Sequence, residues 1–254
     1  MIKHIAIIGS GNAAGVLAKL FFEHQIIIDS IHSSNSMTGT FLAECVKAEF
    51  RTDYVFNATT QLVLICTQDD RIEDVVKRIG DTTILVCHCA GSICMTVLNS
   101  FRNYGVIYPL QSLSNNIDIK TLKIPFLIET NTTENEMAIA ELISCTKNIS
   151  TTIQSEMRLQ YHLAAVFANN FSNAMFMAAQ QIIESKHLNF ELLKPLIQQT
   201  VHKLENKLPS ETQTGPAMRY DEQTISKHLE LLGDNESLKD IYSLISRFIS
   251  NYKK

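Results

Sequence analysis

Apolar residues follow two patterns along the chain. Over roughly the first 150 positions they come in short unbroken runs, and beyond that they recur at helical spacing. The runs at 4–9, 26–32, 61–67, 83–89, 105–112 and 124–129 are rich in isoleucine, valine and leucine. Strands buried on both faces of a parallel sheet have this character. Between them, 16–22, 39–46, 71–79 and 135–145 read as helices. Residues 50–56 are expected as an edge strand and 148–153 as the strand that closes the sheet. Strand and helix alternate, which predicts a parallel sheet with right-handed crossovers. From 155 to the end helix follows helix. The domain edge is therefore expected between 153 and 154, separating a sheet domain over 1–153 from a helical domain over 154–254.

The turn after the first run adds chemistry to this pattern. Gly9, Gly11 and Ala14 stand in G-x-G-x-x-A spacing between a predicted strand and a predicted helix. That is the dinucleotide-binding fingerprint. Gly9 permits the tight turn, Gly11 lets a pyrophosphate approach the backbone, and Ala14 lets helix and strand pack closely. The helix N-terminus then offers free N–H groups and the positive end of its dipole. The fold class is thus α/β, with an N-terminal Rossmann doubly wound parallel sheet followed by an all-α domain. In such sheets ligands bind beyond the carboxyl ends of the strands. That rule gathers the Gly9–Asn12 turn, Ser33 to Asn35, Cys66 to Asp69, and His88 to Ser92 around one crevice. Asp69 or Asp70 has a second reading as a helix cap.

The end of the second strand selects the cofactor. An acidic residue there would hold the ribose 2′-hydroxyl of NAD and repel a 2′-phosphate. This chain has Ser33, Ser34 and Asn35 instead, neutral donors that suit NADP. No arginine stands beside them, and His32 or Lys47 is the available substitute.

The segment 155–183 reads as one long α-helix, apolar enough to be largely buried. Polar residues interrupt it at Arg158, His162, Asn169, Asn170 and Asn173. At about 100° per residue, His162, Asn169 and Asn173 fall within roughly 40° of each other, with Arg158 beside them. Asparagine is a poor helix former, and three in five buried positions are costly without partners. One reading is an inter-helix or subunit network. The other is a stripe facing substrate, in which Asn169 and Asn173 orient a carbonyl and His162 donates the proton. Residues 213–221 (QTGPAMRYD) form a sharp turn. Asp221 there reads as a helix cap, and Arg219 as either connector or cleft residue.

Composition sets outer limits. The chain has 254 residues, 45% apolar and 19% charged, with a net charge of −4. No basic stripe is present, so nucleic acid is not expected as a partner. No apolar run reaches membrane-spanning length and no signal peptide is recognisable, so a cytoplasmic protein without membrane attachment is expected. Cys87, His88, Cys89 and Cys94 invite a metal reading. Their spacing fits no usual zinc pattern, and Cys87 and Cys89 lie in a predicted buried strand, so no metal is expected.

With these motifs assembled, the chain resembles a family of Rossmann-like NADP oxidoreductases whose second half is a helical domain of unknown function. That family is distantly related to pyrroline-5-carboxylate reductase, 3-hydroxyisobutyrate dehydrogenase and ketopantoate reductase. The resemblance rests on residues 7–13 (IIGSGNA), 88–92 (HCAGS), 105–111 (GVIYPLQ), 162–173 (HLAAVFANNFSN) and 213–221. It implies that Gly9, Ser10, Gly11, Asn12 and Ala13 hold the pyrophosphate and Ser33, Ser34 and Asn35 the 2′-phosphate. Thr67 and His88 would lie along the nicotinamide side; Cys66 is a further candidate for cofactor binding, and Ser92, Gln111, Asn170 and Arg219 are candidates for substrate binding. The relatives carry a lysine or asparagine on the first helix of a 6-phosphogluconate dehydrogenase-like C-terminal domain; here that face carries His162, Asn169 and Asn173 and no lysine. The resemblance also implies a homodimer through the helical domain. The function implied is NADPH-dependent hydride transfer to a small, carboxylate-bearing carbonyl or imine such as a 2-oxo acid. The competing reading is a non-catalytic NADP-binding or redox-sensing module.

Overall fold

The computed structural model of the protein describes residues 1–114 and 118–252. The chain forms two compact units, residues 1–169 and 170–254.

The first unit is built on one eight-stranded sheet. In chain order its elements are β1 (His4–Ile8), α1 (Asn12–Glu23), β2 (Ile27–His32), α2 (Ser36–Cys45), β3 (Glu49–Arg51), β4 (Leu62–Ile65), α3 (Ile72–Ile79), β5 (Leu85–His88), β6 (Tyr104–Pro109), β7 (Pro125–Thr130), α4 (Thr133–Cys145) and β8 (Ile149–Thr152). The strand order is β3-β2-β1-β4-β5-β6-β7-β8. The chain leaves β1 toward β2 on one side and returns to β4 on the other. β1 and β4 therefore flank a topological switch point, the position at which sheets of this kind bind ligands.

Both faces of the sheet are covered, which explains the unbroken apolar runs. Ile5 and Ile7 of β1 join a core with Leu17 and Phe21 of α1 and Ile139, Leu142 and Ile143 of α4. Ala6 and Ile8 point the other way, into a core with Ile72, Val75 and Ile79 of α3 and with Leu98 and Phe101. Successive residues of a strand alternate faces, so a strand covered twice must be apolar at every position.

The sheet departs from the expected pattern in two places. β6 and β7 pair antiparallel. The chain between them forms no crossover helix among the described residues, so the parallel alternation breaks there. β3 is confined to Glu49–Arg51, shorter than the expected edge strand.

The sheet ends at Thr152, and α5 (Ser155–Ala165) begins at once. The expected single α-helix is interrupted. α5 passes into a π-helical turn, Val166–Phe171, which is followed by α6 (Ser172–Glu184). The boundary between the compact units falls inside that turn.

The second unit continues with α7 (Lys194–His202), α8 (Pro209–Thr212), α9 (Glu222–Leu231) and α10 (Glu236–Tyr252). Asp221 caps α9, accepting from the Thr224 N–H at 3.0 Å and the Thr224 hydroxyl at 2.7 Å. An apolar cavity of about 310 Å³ lies among Met175, Ile182, Pro216, Ile241, Ile245 and Ile249. Among the described residues no helix is long and apolar enough to cross a membrane.

Candidate active site

The Gly9 turn has the geometry that its sequence demands. Gly9 adopts φ +124°, and a Cβ there would lie 2.4 Å from the Cys66 carbonyl oxygen at the end of β4. Its N–H donates to the His32 carbonyl at 2.8 Å, which ties the turn to β2. At Gly11 the result is different: a Cβ would meet nothing within 4 Å. The fold does not need glycine at 11, so the open backbone there is room for a ligand. Gly11 also stands as N-cap of α1 with no side-chain cap, and no acidic residue lies in the first turn. The free N–H groups are thus left for an anion. These residues fit a dinucleotide pyrophosphate.

Beside the turn is a cluster of hydroxyls. Ser10 Oγ lies 2.8 Å from Ser33 Oγ and 2.7 Å from Thr38 Oγ1. Ser33 Oγ also accepts from the Asn35 N–H at 3.1 Å, and Asn35 caps α2 by accepting from the Thr38 N–H at 3.1 Å. Ser34 is exposed. The sequence reading missed Thr38, and it missed an arginine. Arg51 of β3 stands in register with His32, and the Ser33 N–H donates to its carbonyl at 3.1 Å. It lies 19 positions along the chain, so only strand pairing brings it near. Its guanidinium is held by Asp53 at 3.0 Å and Glu49 at 3.2 Å. His32 does not fill the role suggested for it. Its ring is fully buried, with Nε2 2.7 Å from Ser30 Oγ and Nδ1 2.6 Å from the Asp53 carbonyl. Burial pushes its pKa down.

Further along the strand ends, Cys66 and Cys89 follow β4 and β5 with their sulfurs 3.1 Å apart. The Thr67 hydroxyl is buried without a partner. Asp69 caps no helix through its side chain; it accepts a short hydrogen bond from the Ser92 hydroxyl. The His88 ring is enclosed, its Nδ1 accepting from the Ala90 N–H at 3.1 Å. Burial, followed by the charge of Arg158, pushes its pKa down to about 3, so the ring is neutral at ordinary pH. Among the described residues no three of histidine, cysteine, aspartate and glutamate are grouped to hold a metal ion.

The carboxyl end of β6 supplies a residue that the sequence reading left within the run 105–112. Tyr108 Oη lies 3.0 Å from His162 Nδ1 of α5, with the rings edge to face at 72°. Gly91 packs against both. A Cβ at that position would lie 2.7 Å from His162 Nδ1 and 2.9 Å from Tyr108 Cζ. Burial, then the Asp69 carboxylate, raises the phenol pKa, against a smaller opposing effect of Arg158. The phenol therefore keeps its proton at neutral pH.

Arg158 anchors α5 to the sheet. It is 1% exposed and donates to the Glu129 carboxylate of β7 and to the Ile93 carbonyl, with Ser155 Oγ at 3.2 Å. Ser155 Oγ itself donates to Glu129 at 2.6 Å. Arg158 is thus a packing residue with its charge already matched.

The rest of the stripe differs from expectation. Arg158 is the only buried residue of α5, and the apolar positions along the helix are exposed in the single chain: Leu159 is 46% exposed and Leu163 52%. Asn169 and Asn170 lie in the π turn, where the 100° projection used for the stripe does not apply. Both are exposed, as is Asn173 at the start of α6. Asn170, Asn173 and Arg219 belong to the second unit, and Arg219 is exposed. Gln111 is occupied in bracing its own loop: Nε2 donates to the Lys123 carbonyl at 3.2 Å and Oε1 accepts from the Ser112 N–H at 3.0 Å.

Comparisons with known proteins agree with this architecture. A family described as a domain of unknown function, DUF2520, matches residues 124–249. No curated protein matches the chain. Among solved structures, BF3122 from Bacteroides fragilis, described as a proposed NADP oxidoreductase, superposes with a TM-score of 0.92 at 34% identity, covering 98% of each chain. Protein TM1727 from Thermotoga maritima gives 0.73 at 21% identity over 98% of this chain and 97% of its own. The 1-pyrroline-5-carboxylate reductase of Streptococcus pyogenes gives 0.64 at 14% identity over 98% of each, a likeness of fold. With a third of its residues identical across nearly the whole of both chains, the protein belongs to the family of BF3122 and carries the DUF2520 region within it.

Proposed function

We propose that the protein is an NADPH-dependent reductase that passes a hydride to a small carbonyl or imine bearing a carboxylate. The observation that carries this reading is the Tyr108–His162 pair, a proton-active couple on the same sheet edge as the Gly9 turn. Three strand spacings separate β1 from β6, roughly 14 Å, which an extended dinucleotide bridges. Gly9, Ser10, Gly11, Asn12 and Ala13 hold the pyrophosphate. Ser33, Ser34 and Asn35, neutral and rich in donors, receive the 2′-phosphate, and the description of BF3122 as an NADP oxidoreductase supports that choice. The cofactor supplies the hydride; the chain supplies position and a proton. Asn169 orients the substrate and its carboxylate. Arg158 is engaged with Glu129 and plays no such part.

The same reading includes a homodimer through the helical unit. Met177, Leu244 and Phe248 are each more than 60% exposed in the single chain, an apolar surface that a second copy would cover. Light scattering on the purified protein is expected to give twice the chain mass.

The test of activity has two stages. Fluorescence titration is expected to show tighter binding of NADPH than of NADH. NADPH oxidation is then followed with 2-oxo acids, ketopantoate and cyclic imines. Turnover of at least one supports the reductase; tight NADPH binding with silence across the panel refutes it in favour of a non-catalytic NADP-binding module.

A further inference from the structure

The geometry points to Tyr108, through its phenol oxygen, as the group that protonates the substrate, with His162 behind it as the positioning residue that restores the proton. The assignment rests on the reductase reading above and changes its chemistry, because the sequence alone singles out His162 as the donor.

Three observations support the assignment. The first is the pairing. Tyr108 Oη and His162 Nδ1 are 3.0 Å apart, and the pair joins the end of β6 to α5. A phenol has one proton and two lone pairs, so it can accept from Nδ1–H while its own proton is directed elsewhere. The second is the shape of the loop beside the pair. Gly91 brings its backbone so close that any side chain would strike both rings, at 2.7 Å from Nδ1 and 2.9 Å from Cζ. One flank of the pair is thereby closed by main chain, which restricts both rotamers. The third is the surrounding charge. Burial, then the Asp69 carboxylate, which is bonded to Ser92, raises the phenol pKa against a smaller opposing effect of Arg158, and His88 stays neutral. This field favours a phenol that holds its proton until a stronger base forms beside it.

The step balances as follows. The hydride adds to the carbonyl or imine carbon, and the π electrons move to oxygen or nitrogen. That atom takes the Tyr108 proton as the phenol O–H bond breaks. The phenolate takes the Nδ1 proton of His162 while Nε2 collects one from water. The imidazole ends as the other tautomer and never becomes an imidazolate. The cofactor is oxidised, the substrate is reduced, and solvent supplies the net proton.

The test compares Tyr108→Phe, His162→Gln and wild type on whichever panel compound the wild type reduces. Tyr108→Phe is expected to lower kcat by about 10²–10⁴-fold, the usual worth of a general acid, with the Kd for NADPH unchanged. His162→Gln is expected to lower kcat less, and added imidazole to restore part of the loss in His162→Ala. A readout independent of turnover is the ¹³Cζ resonance of Tyr108, assigned among the seven tyrosines by its absence in Tyr108→Phe. Its titration is expected to move in His162→Gln. If Tyr108→Phe melts early, global 3-fluorotyrosine labelling replaces it and should shift the basic limb of the kcat–pH profile downward. Full kcat in Tyr108→Phe, or an unshifted basic limb in the labelled protein, overturns the assignment and leaves the reductase intact. An unmoved Tyr108 titration in His162→Gln overturns the coupling. Wild-type protein that binds NADPH and reduces nothing overturns both readings together.

Discussion

Replacing Arg158 with methionine keeps the bulk of its side chain and removes its charge. Three hydrogen-bond acceptors then lose a donor: the Glu129 carboxylate, the Ile93 carbonyl and Ser155 Oγ. Arg158 is 1% exposed and the Glu129 side chain 16%, so water only partly replaces what is lost. Breaking a buried pair by removing one partner costs about 3–5 kcal/mol, mostly from the charge left behind. Partial exposure of Glu129 places the expectation at the lower end, about 3 kcal/mol. For a chain of this size each kcal/mol moves Tm by about 2–4 °C, so a fall of roughly 6–12 °C is expected. The chain has no tryptophan, so circular dichroism under heat and urea is the suitable probe. The decisive comparison is the double variant Arg158→Met/Glu129→Leu, which removes both charges. It is expected to recover more than half of the loss, because an apolar replacement of a whole buried pair is close to neutral. A single-variant loss below about 1 kcal/mol, or a double variant no better than the single, would refute the argument that burial of an unmatched carboxylate sets the cost.

The two glycines of the fingerprint should separate folding from binding. Gly9→Ala forces a Cβ against the Cys66 carbonyl at a positive φ, so a lowered Tm and lost NADPH binding are expected together. Gly11→Ala meets nothing in the protein; its Tm should match wild type while the Kd for NADPH rises at least tenfold, about 1.4 kcal/mol, and an unchanged Kd would count against a pyrophosphate at this turn. Gly91→Ala should displace the Tyr108–His162 pair, reducing kcat with NADPH affinity kept; normal turnover would show that the pair tolerates displacement. Acid should weaken the fold through His88, whose folded pKa of about 3 lies below the unfolded value of 6.5. Below pH 6.5 the unfolded chain binds a proton that the folded chain refuses. The contribution is therefore complete above that pH and is lost toward pH 3, with a slope of at most ~1.4 kcal/mol per pH unit. His32, also pushed down by burial, acts in the same direction. Urea titrations at pH 7, 5 and 4 should show a shallower decline for His88→Gln than for wild type, and parallel declines would remove His88 from the account.

The sequence by itself determined the scaffold and the turn at Gly9 and Gly11. Strands covered on both faces must be apolar at every position, so β1, β4 and β5 were readable as unbroken runs. The Gly9 and Gly11 spacing was readable because a turn that admits a pyrophosphate has few chemical solutions. The Asp221 cap was readable because its partner, Thr224, lies three residues away. What only the tertiary structure decided involves partners far apart in the chain. Arg51 comes beside Ser33 through strand pairing. Asp69 turns from a nearby helix to Ser92, 23 residues on. Tyr108 meets His162 across 54 residues. The long helix was misjudged for a related reason. Its apolar content suggests burial within one chain, whereas none of its apolar side chains is buried there, and no helical wheel contains the π turn that carries Asn169 and Asn170. Local periodicity reports which faces a segment must hide. It does not report which distant side chain will stand opposite, because strand order and crossovers, which no single segment encodes, settle that choice.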